Sequence, residues 1–149
     1  MTYVTHRRAR FDYEILDTFE AGLVLLGTEV KSIRKGRATL EGGHVVIRGG
    51  EALLVGVTIP PFQVPNAPRG YDPERPRKLL LHPKELAVLE RQTEKAGLTA
   101  VPLKLYNSGR NIKLEVALAR GKKKTDKRQT IQNRDNKREI ERTLKMQNK

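Results

Sequence analysis

Apolar residues fall in short runs along most of the chain, and glycines and prolines separate the runs. Phe11, Tyr13 and Ile15 alternate with Asp12 and Glu14, the period of a half-buried strand, until Leu16 breaks the alternation. An apolar run from Gly22 to Leu26 predicts a second strand, closed by a tight Gly27. Thr28 then stands where a helix N-cap belongs. Glu29 falls in the first turn, where a carboxylate suits the helix dipole. Val30 and Ile33 are three apart and face a core; Lys31, Arg34 and Lys35 fall on the other side, and Gly36 ends the helix. His6 to Arg10, basic and short of apolar groups, read as an exposed lead-in to the first strand.

Two glycine pairs, Gly42-Gly43 and Gly49-Gly50, bracket a strand from His44 to Arg48, and the second pair predicts a hairpin turn into Glu51 to Ile59. Pro60, Pro61, Pro65, Pro68, Pro73 and Pro76 then punctuate a long loop, because proline cannot donate to a sheet ladder. A short strand, Lys78 to Leu81, leads to His82-Pro83. Proline at the first helical position opens a helix from Pro83 to Ala96, with Leu86 and Leu89 inward and Gly97 as its stop. Leu98 to Tyr106 and Asn111 to Ala119 are the last strands, joined by a turn over Asn107, Ser108, Gly109 and Arg110. About seven short strands and two helices make an all-β body with short helices. A small closed barrel of the OB-fold kind, or a sandwich, accommodates that pattern.

Charge changes the picture at the C-terminal end. The 149 residues carry a formal net charge of +13, with 32% charged and 37% hydrophobic residues. Residues 120–149 hold 12 Lys/Arg against 4 Asp/Glu, so the last fifth carries over half the excess. Its large apolar residues are Ile131, Ile140, Leu144 and Met146, too few to offset the ordering of such a segment. The expected organisation is a folded body over 1–119 and a basic tail over 120–149. Placed on a helix, Arg134, Arg138 and Arg142 stand four apart and Lys145 and Lys149 continue one basic ridge, beside a narrow seam of Ile140 and Leu144. Like charges at that spacing destabilise an isolated helix. The tail is therefore expected to be disordered when free and to become helical along a polyanion; the alternative is a tail that stays disordered.

Enzyme chemistry finds little support. His6, His44 and His82 have no partner at metal-ligand spacing and read as surface or strand-edge residues. There is no cysteine, so neither a thiolate nor a zinc site with cysteine ligands is available. Walker, dinucleotide-binding and nucleophile-elbow motifs are missing. Glu20 can be a catalytic carboxylate, a structural one bonding backbone amides, or an acceptor facing RNA. No cofactor, metal or small-molecule substrate is expected. No apolar run follows the early basic residues, and no stretch is long enough to span a membrane, so a cytoplasmic protein without membrane contact is expected. The positive surplus calls for an acidic partner, and the cluster Arg120, Lys122, Lys123, Lys124, Lys127 and Arg128 suits phosphate. With four Tyr, three Phe and no Trp, general base stacking is a poor fit, and recognition through shape, phosphate and ribose of a folded RNA is the better one.

The run from Phe19 to Arg34 (FEAGLVLLGTEVKSIR) resembles the signature of the SsrA-binding protein, or small protein B, family. Arg77 to Leu81 (RKLLL), Val101 to Tyr106 (VPLKLY), Ala119 to Lys123 (ARGKK) and Asp126 to Arg128 (DKR) match further family blocks in the same order. The resemblance implies an OB-fold barrel that binds the tRNA-like domain of transfer-messenger RNA and accompanies it to stalled ribosomes for trans-translation. It implies that the tail enters the vacant mRNA channel beside the decoding centre and small-subunit rRNA, and folds there. Glu20, Leu80 and Lys113 stand at its RNA-contacting positions, with Lys31 and Arg34 as further cation candidates; simple core remains open for Leu80. Lys122, Lys123, Lys124, Asp126, Lys127, Arg128, Arg134, Arg138 and Arg142 are the candidate ribosome-binding tail residues. His6, Phe11 and Thr125 depart from the usual family residues, and Thr125 cannot stack as a ring would. The other reading is a ribosomal or ribosome-assembly protein anchored in rRNA by its basic tail.

Overall fold

A computed structural model of the chain describes residues 1–62 and 69–122. Seven strands and three helices follow in the order β1 (Thr2–Thr5), α1 (Ala9–Asp12), β2 (Tyr13–Leu23), α2 (Gly27–Arg34), β3 (His44–Arg48), β4 (Glu51–Val55), β5 (Arg77–Leu80), α3 (Pro83–Lys95), β6 (Thr99–Ser108) and β7 (Asn111–Gly121). All pairings are antiparallel. They run β6–β3–β4–β5–β2–β7 and return to β6, a closed circuit of six strands, with β1 added along β6. The protein is thus mostly β-sheet with few short helices. Among the described residues no helix is long and apolar enough to cross a membrane.

The Gly49-Gly50 hairpin forms as its sequence predicts, with both glycines at positive φ and Arg48 opposite Glu51. Three expectations about the first strands are corrected. The two predicted strands are one, and the break in alternation at Leu16 is a bulge, a register shift between Ile15 and Asp17 against β7. Phe11 lies in α1 rather than in a strand. His6 is no exposed lead-in residue: it is 7% exposed, its Nδ1 donates to the Pro102 carbonyl at 2.8 Å, and its amide bonds the Leu103 carbonyl at 2.7 Å. The pairing of β1 with β6 carries it inward, which a basic flank in the sequence conceals. β4 stops at Val55 instead of Ile59, because Gly56 turns the chain at φ +72° and Thr58 then bridges Thr39.

One core fills the circuit, centred on Leu40, Leu54, Ile59, Leu105, Leu114 and Val116, with Ile33 of α2 and Leu89 of α3 packed into it. A smaller cluster of Ala9, Val101, Leu103, Ala117 and Ala119 lies under Tyr13 and Ile15. Helix α2 begins one residue before the expected cap. Leu26 is the N-cap and has no side-chain acceptor to offer; Glu29, at the third helical position, instead takes the Leu26 amide at 2.8 Å. Thr28 sits inside the first turn, and its buried hydroxyl has no hydrogen-bond partner among the described residues. At the other end Gly36, at φ +71°, closes a Schellman motif: its amide bonds Ile33 and the Arg37 amide bonds Ser32.

Glu29 does far more than favour a helix dipole. It is fully buried, as is Arg77, whose Nε donates to Glu29 Oε2 at 2.8 Å. Arg77 also donates to the carbonyls of Val57 and Pro73, both at 2.8 Å. Arg75 forms a second ion pair with Glu29. The Tyr71 hydroxyl bonds the Ile59 carbonyl at 2.7 Å, stands 3.1 Å from Glu29 Oε2, and accepts from Arg77 at 3.2 Å. This network binds α2, β5 and the 69–76 segment into one unit. Burial pulls the Glu29 carboxyl upward, but the Arg75 hydrogen bond, the Leu26 amide and Arg77 outweigh it and hold the group below its ordinary value.

A carboxyl so held contributes stability above the unfolded carboxylate range, and that contribution is lost as pH falls through the folded value. In urea denaturation, Glu29→Ala is expected to cost about 3–5 kcal/mol at neutral pH, since it strands a buried guanidinium. The stability gap between the wild-type and Glu29→Gln chains should begin to narrow as pH falls below the ordinary carboxylate value of about 4.3 and close once it has fallen through the lower folded value; a gap that persists in strong acid would show that the charge of Glu29 is not what matters.

Candidate nucleic-acid interface

Strand register places Glu20, Leu80 and Lys113 on one outer face. Leu80 of β5 lies opposite Gly22 of β2, Gly22 lies opposite Lys113 of β7, and Lys113 lies opposite Tyr106 of β6. Directly opposed residues share a face, and so do residues two apart along a strand. The next row on that face is therefore Glu20, Glu115 and Lys104, again in register. Alternation along β5 turns Leu79 inward and Leu80 outward, leaving Leu80 54% exposed. Core burial, the other reading open for Leu80, is thereby corrected.

A recess of about 330 Å³ opens beside the first row, lined by Leu80, Arg34, Arg110 and Lys113 together with Leu23, Leu25 and Val30. Gly22 is its floor. A Cβ there would lie 3.4 Å from Leu80 Cβ and 3.6 Å from Lys113 Nζ, in ordinary contact, so a leucine and a lysine from two different strands converge over this point of β2. Leu80, Lys113 and Arg34 are thus brought together, and Glu20 is one step along β2 from Gly22. Lys31 is not at the recess; it is exposed on another flank of α2, with Nζ 6.0 Å from the centre of the Phe62 ring.

Two carboxylates, Glu20 and Glu115, face each other across β2 and β7, which alone would repel. Each has its own partner. Lys104 pairs with Glu115 at 3.4 Å and also sits over the Tyr106 ring at 5.4 Å. Glu20 acts on the Tyr106 hydroxyl, as an acceptor beside it and as a charge. Burial, that acceptor and the charges of Glu20 and Glu115 push the Tyr106 phenol up to about 12. Glu20 keeps acceptor capacity to spare, while Arg34, Arg110 and Lys113 supply donors and charge. Cations beside an acceptor and an exposed leucine can hold phosphate, receive a ribose or base donor, and cover an apolar base edge. Among the described residues no cluster of His, Cys, Asp and Glu could hold a metal.

Sequence reasoning missed Gly22, Tyr106 and Arg110 as parts of this face. Tyr106 was legible in the alternation of β6, where Leu103 and Leu105 point inward and Lys104 and Tyr106 outward. Arg110 had only its place in a turn to recommend it. Lys122 is held against the body, its amide bonding the Asp12 carbonyl at 2.9 Å and its Nζ the Arg10 carbonyl at 2.8 Å. Lys123, Lys124, Thr125, Asp126, Lys127, Arg128, Arg134, Arg138 and Arg142 lie outside the described residues.

A recess lined by cations on the face of an antiparallel sheet, with polar groups beside it, suits a protein of the RNA-binding class. The family model described as SmpB protein matches residues 3–146. The SsrA-binding protein of Thermosynechococcus vestitus is 54% identical over 140 residues, covering 94% of this chain and 92% of that protein. That of Thermobifida fusca is 52% identical over 144 residues, covering 97% and 89%. A chain in a solved structure described as tmRNA-SmpB at the center of the bacterial ribosome is 47% identical, with a TM-score of 0.67 over 80% of this chain and 84% of that one. The chain belongs to the SmpB protein family.

Replacing Glu20 with Gln removes the charge that burdens the Tyr106 phenol. In an NMR titration of ring-labelled tyrosines, Tyr106 is expected to begin ionising at lower pH in the Glu20→Gln chain than in the wild type. Identical onsets would mean that the Glu20 carboxylate does not act on Tyr106.

Proposed function

We propose that this chain binds transfer-messenger RNA and acts with it in trans-translation on the ribosome. The family match over residues 3–146 and the structural likeness to a tmRNA-SmpB chain support that reading. The observation that carries it in this chain is the meeting of Leu80, Lys113 and Arg34 at one recess, with Glu20 beside it, from four separate elements. Recognition then falls to the body, which we take to be an OB-fold barrel, and its target is the tRNA-like domain. Lys113, Arg34 and Arg110 take phosphates, Glu20 accepts from a base or 2′-hydroxyl, and Leu80 covers a base or ribose.

The basic segment after the last strand acts at a different place. Residues 123–149 reach for small-subunit rRNA, and their arginine ridge fits a vacant mRNA channel because only an empty channel offers its phosphates. Delivery of the RNA to stalled ribosomes joins the two activities. No bond is made or broken by this chain itself, and the cytoplasm is where it works.

The test is a binding titration of the tRNA-like domain and a size-matched duplex against three chains: full-length, truncated after Lys122, and Lys113→Ala. The truncated chain should keep its preference for the tRNA-like RNA, with lower affinity for both. Lys113→Ala should weaken binding and reduce the salt slope of log K by about one. Loss of all preference with the tail would make the tail the reader and the protein an rRNA-anchored one.

A further inference from the structure

Helix α2 carries charge on two flanks. Arg34 lines the recess, but Lys31, one turn earlier, serves a second cluster. There the chain at Pro60 to Phe62 is fastened once to the helix and once just past its end: Ser32 Oγ donates to the Pro60 carbonyl at 2.5 Å, and Arg37 Nη1 donates to the Phe62 carbonyl at 3.3 Å. The half-buried Phe62 ring is so held with the Lys31 ammonium 6.0 Å and the Arg37 guanidinium 5.7 Å from its centre. Both cations are exposed, and the ion pairs formed among the described residues involve neither.

Two like charges drawn to one small ring repel each other, and an exposed cation–π contact returns only about 0.5–1 kcal/mol. An anion between them would turn that repulsion into attraction. A ring prefixed by two backbone anchors loses little freedom when a flat group stacks on it. We propose that Lys31, Arg37 and Phe62 form a nucleotide subsite, with the cations on a phosphate and the ring under an unpaired base. It rests on the RNA-binding reading and extends it. Lys31 and Arg34 are three apart on α2, so their Cβ atoms stand about 5–6 Å from each other. An RNA strand leaving the recess over Arg34 therefore meets Lys31 next and Phe62 beyond it. The nucleotide held here belongs to the same tRNA-like RNA as that in the recess.

The experiment titrates the tRNA-like domain across a salt series against full-length wild-type, Phe62→Leu, Lys31→Ala, Arg37→Ala and Lys113→Ala chains, with thermal melts of each. Phe62→Leu keeps apolar bulk and loses the ring; it is expected to weaken binding about fivefold or more with an unchanged salt slope. Lys31→Ala and Arg37→Ala are each expected to weaken binding and lower the slope by about one. These two residues are exposed, so they decide the matter even if Phe62→Leu melts early. Wild-type affinity in both cation variants, while Lys113→Ala binds weakly, would overturn the subsite and leave the RNA reading standing. A wild-type chain with no preference for the tRNA-like RNA over duplex would instead overturn that reading.

Discussion

The buried carboxylate of Glu29 is what the rest of the structure hangs on. It caps α2 through the Leu26 amide and pairs with Arg77 at the start of β5. With Arg75 and Tyr71 it also captures the segment ahead of that strand. Burying two charges is expensive, and their mutual attraction compensates only when the remaining hydrogen-bond capacity is filled. Here it is filled: each guanidinium nitrogen of Arg77 finds an acceptor, and both Glu29 oxygens are used. Such a network tolerates one arrangement and penalises its neighbours. Its reward is positional. α2 brings Arg34 to the recess and β5 brings Leu80, so an ion pair inside the protein sets the spacing of two groups on its surface.

Much of the fold was legible because its punctuation is strong. Gly49-Gly50, Pro83 with Gly97, and the Asn107–Arg110 turn each mark a boundary that the structure keeps to within a residue or two. What could not be read is what depends on distant partners. Glu29 looked like a carboxylate in a first helical turn, because nothing local announces the two arginines that reach it from β5 and the segment before it. Thr28 is a good N-cap by type, but the helix starts at Gly27 with Leu26 as its cap, where Glu29 reaches back from the third helical position to the Leu26 amide. His6 looked exposed because its neighbours are basic; pairing of β1 with β6 decided otherwise.

The site was legible in part and for a different reason. Glu20, Leu80 and Lys113 came from matching motifs, and the sheet then showed why residues so far apart belong together: register lines them up through Gly22. Period-two alternation separates Leu79 from Leu80, giving one to the core and its neighbour to the outer face. The same alternation in β6 gives Leu103 and Leu105 to the interior and Lys104 and Tyr106 to the outer face. Lys31 and Arg34 looked equivalent as basic residues on one helix. Only the Phe62 carbonyl and ring, brought back against α2, distinguish their surroundings.

The pairing of β2 with β7 also sets a timetable. β2 is made well before β7, the last strand among the described residues, so Tyr13 must wait for Gly121 and Gly22 for Lys113. At about 5–20 residues per second, the intervening hundred or so residues take roughly 5–20 s to synthesise. Through that interval most of β2 has no ladder on either side, since β5 pairs only with its end. Contacts so distant in sequence close late and form slowly. A nascent chain cut short anywhere before β7 therefore lacks the row that Leu80, Gly22, Lys113 and Tyr106 form, and with it one wall of the recess: the outer face is complete only when the described strands are complete.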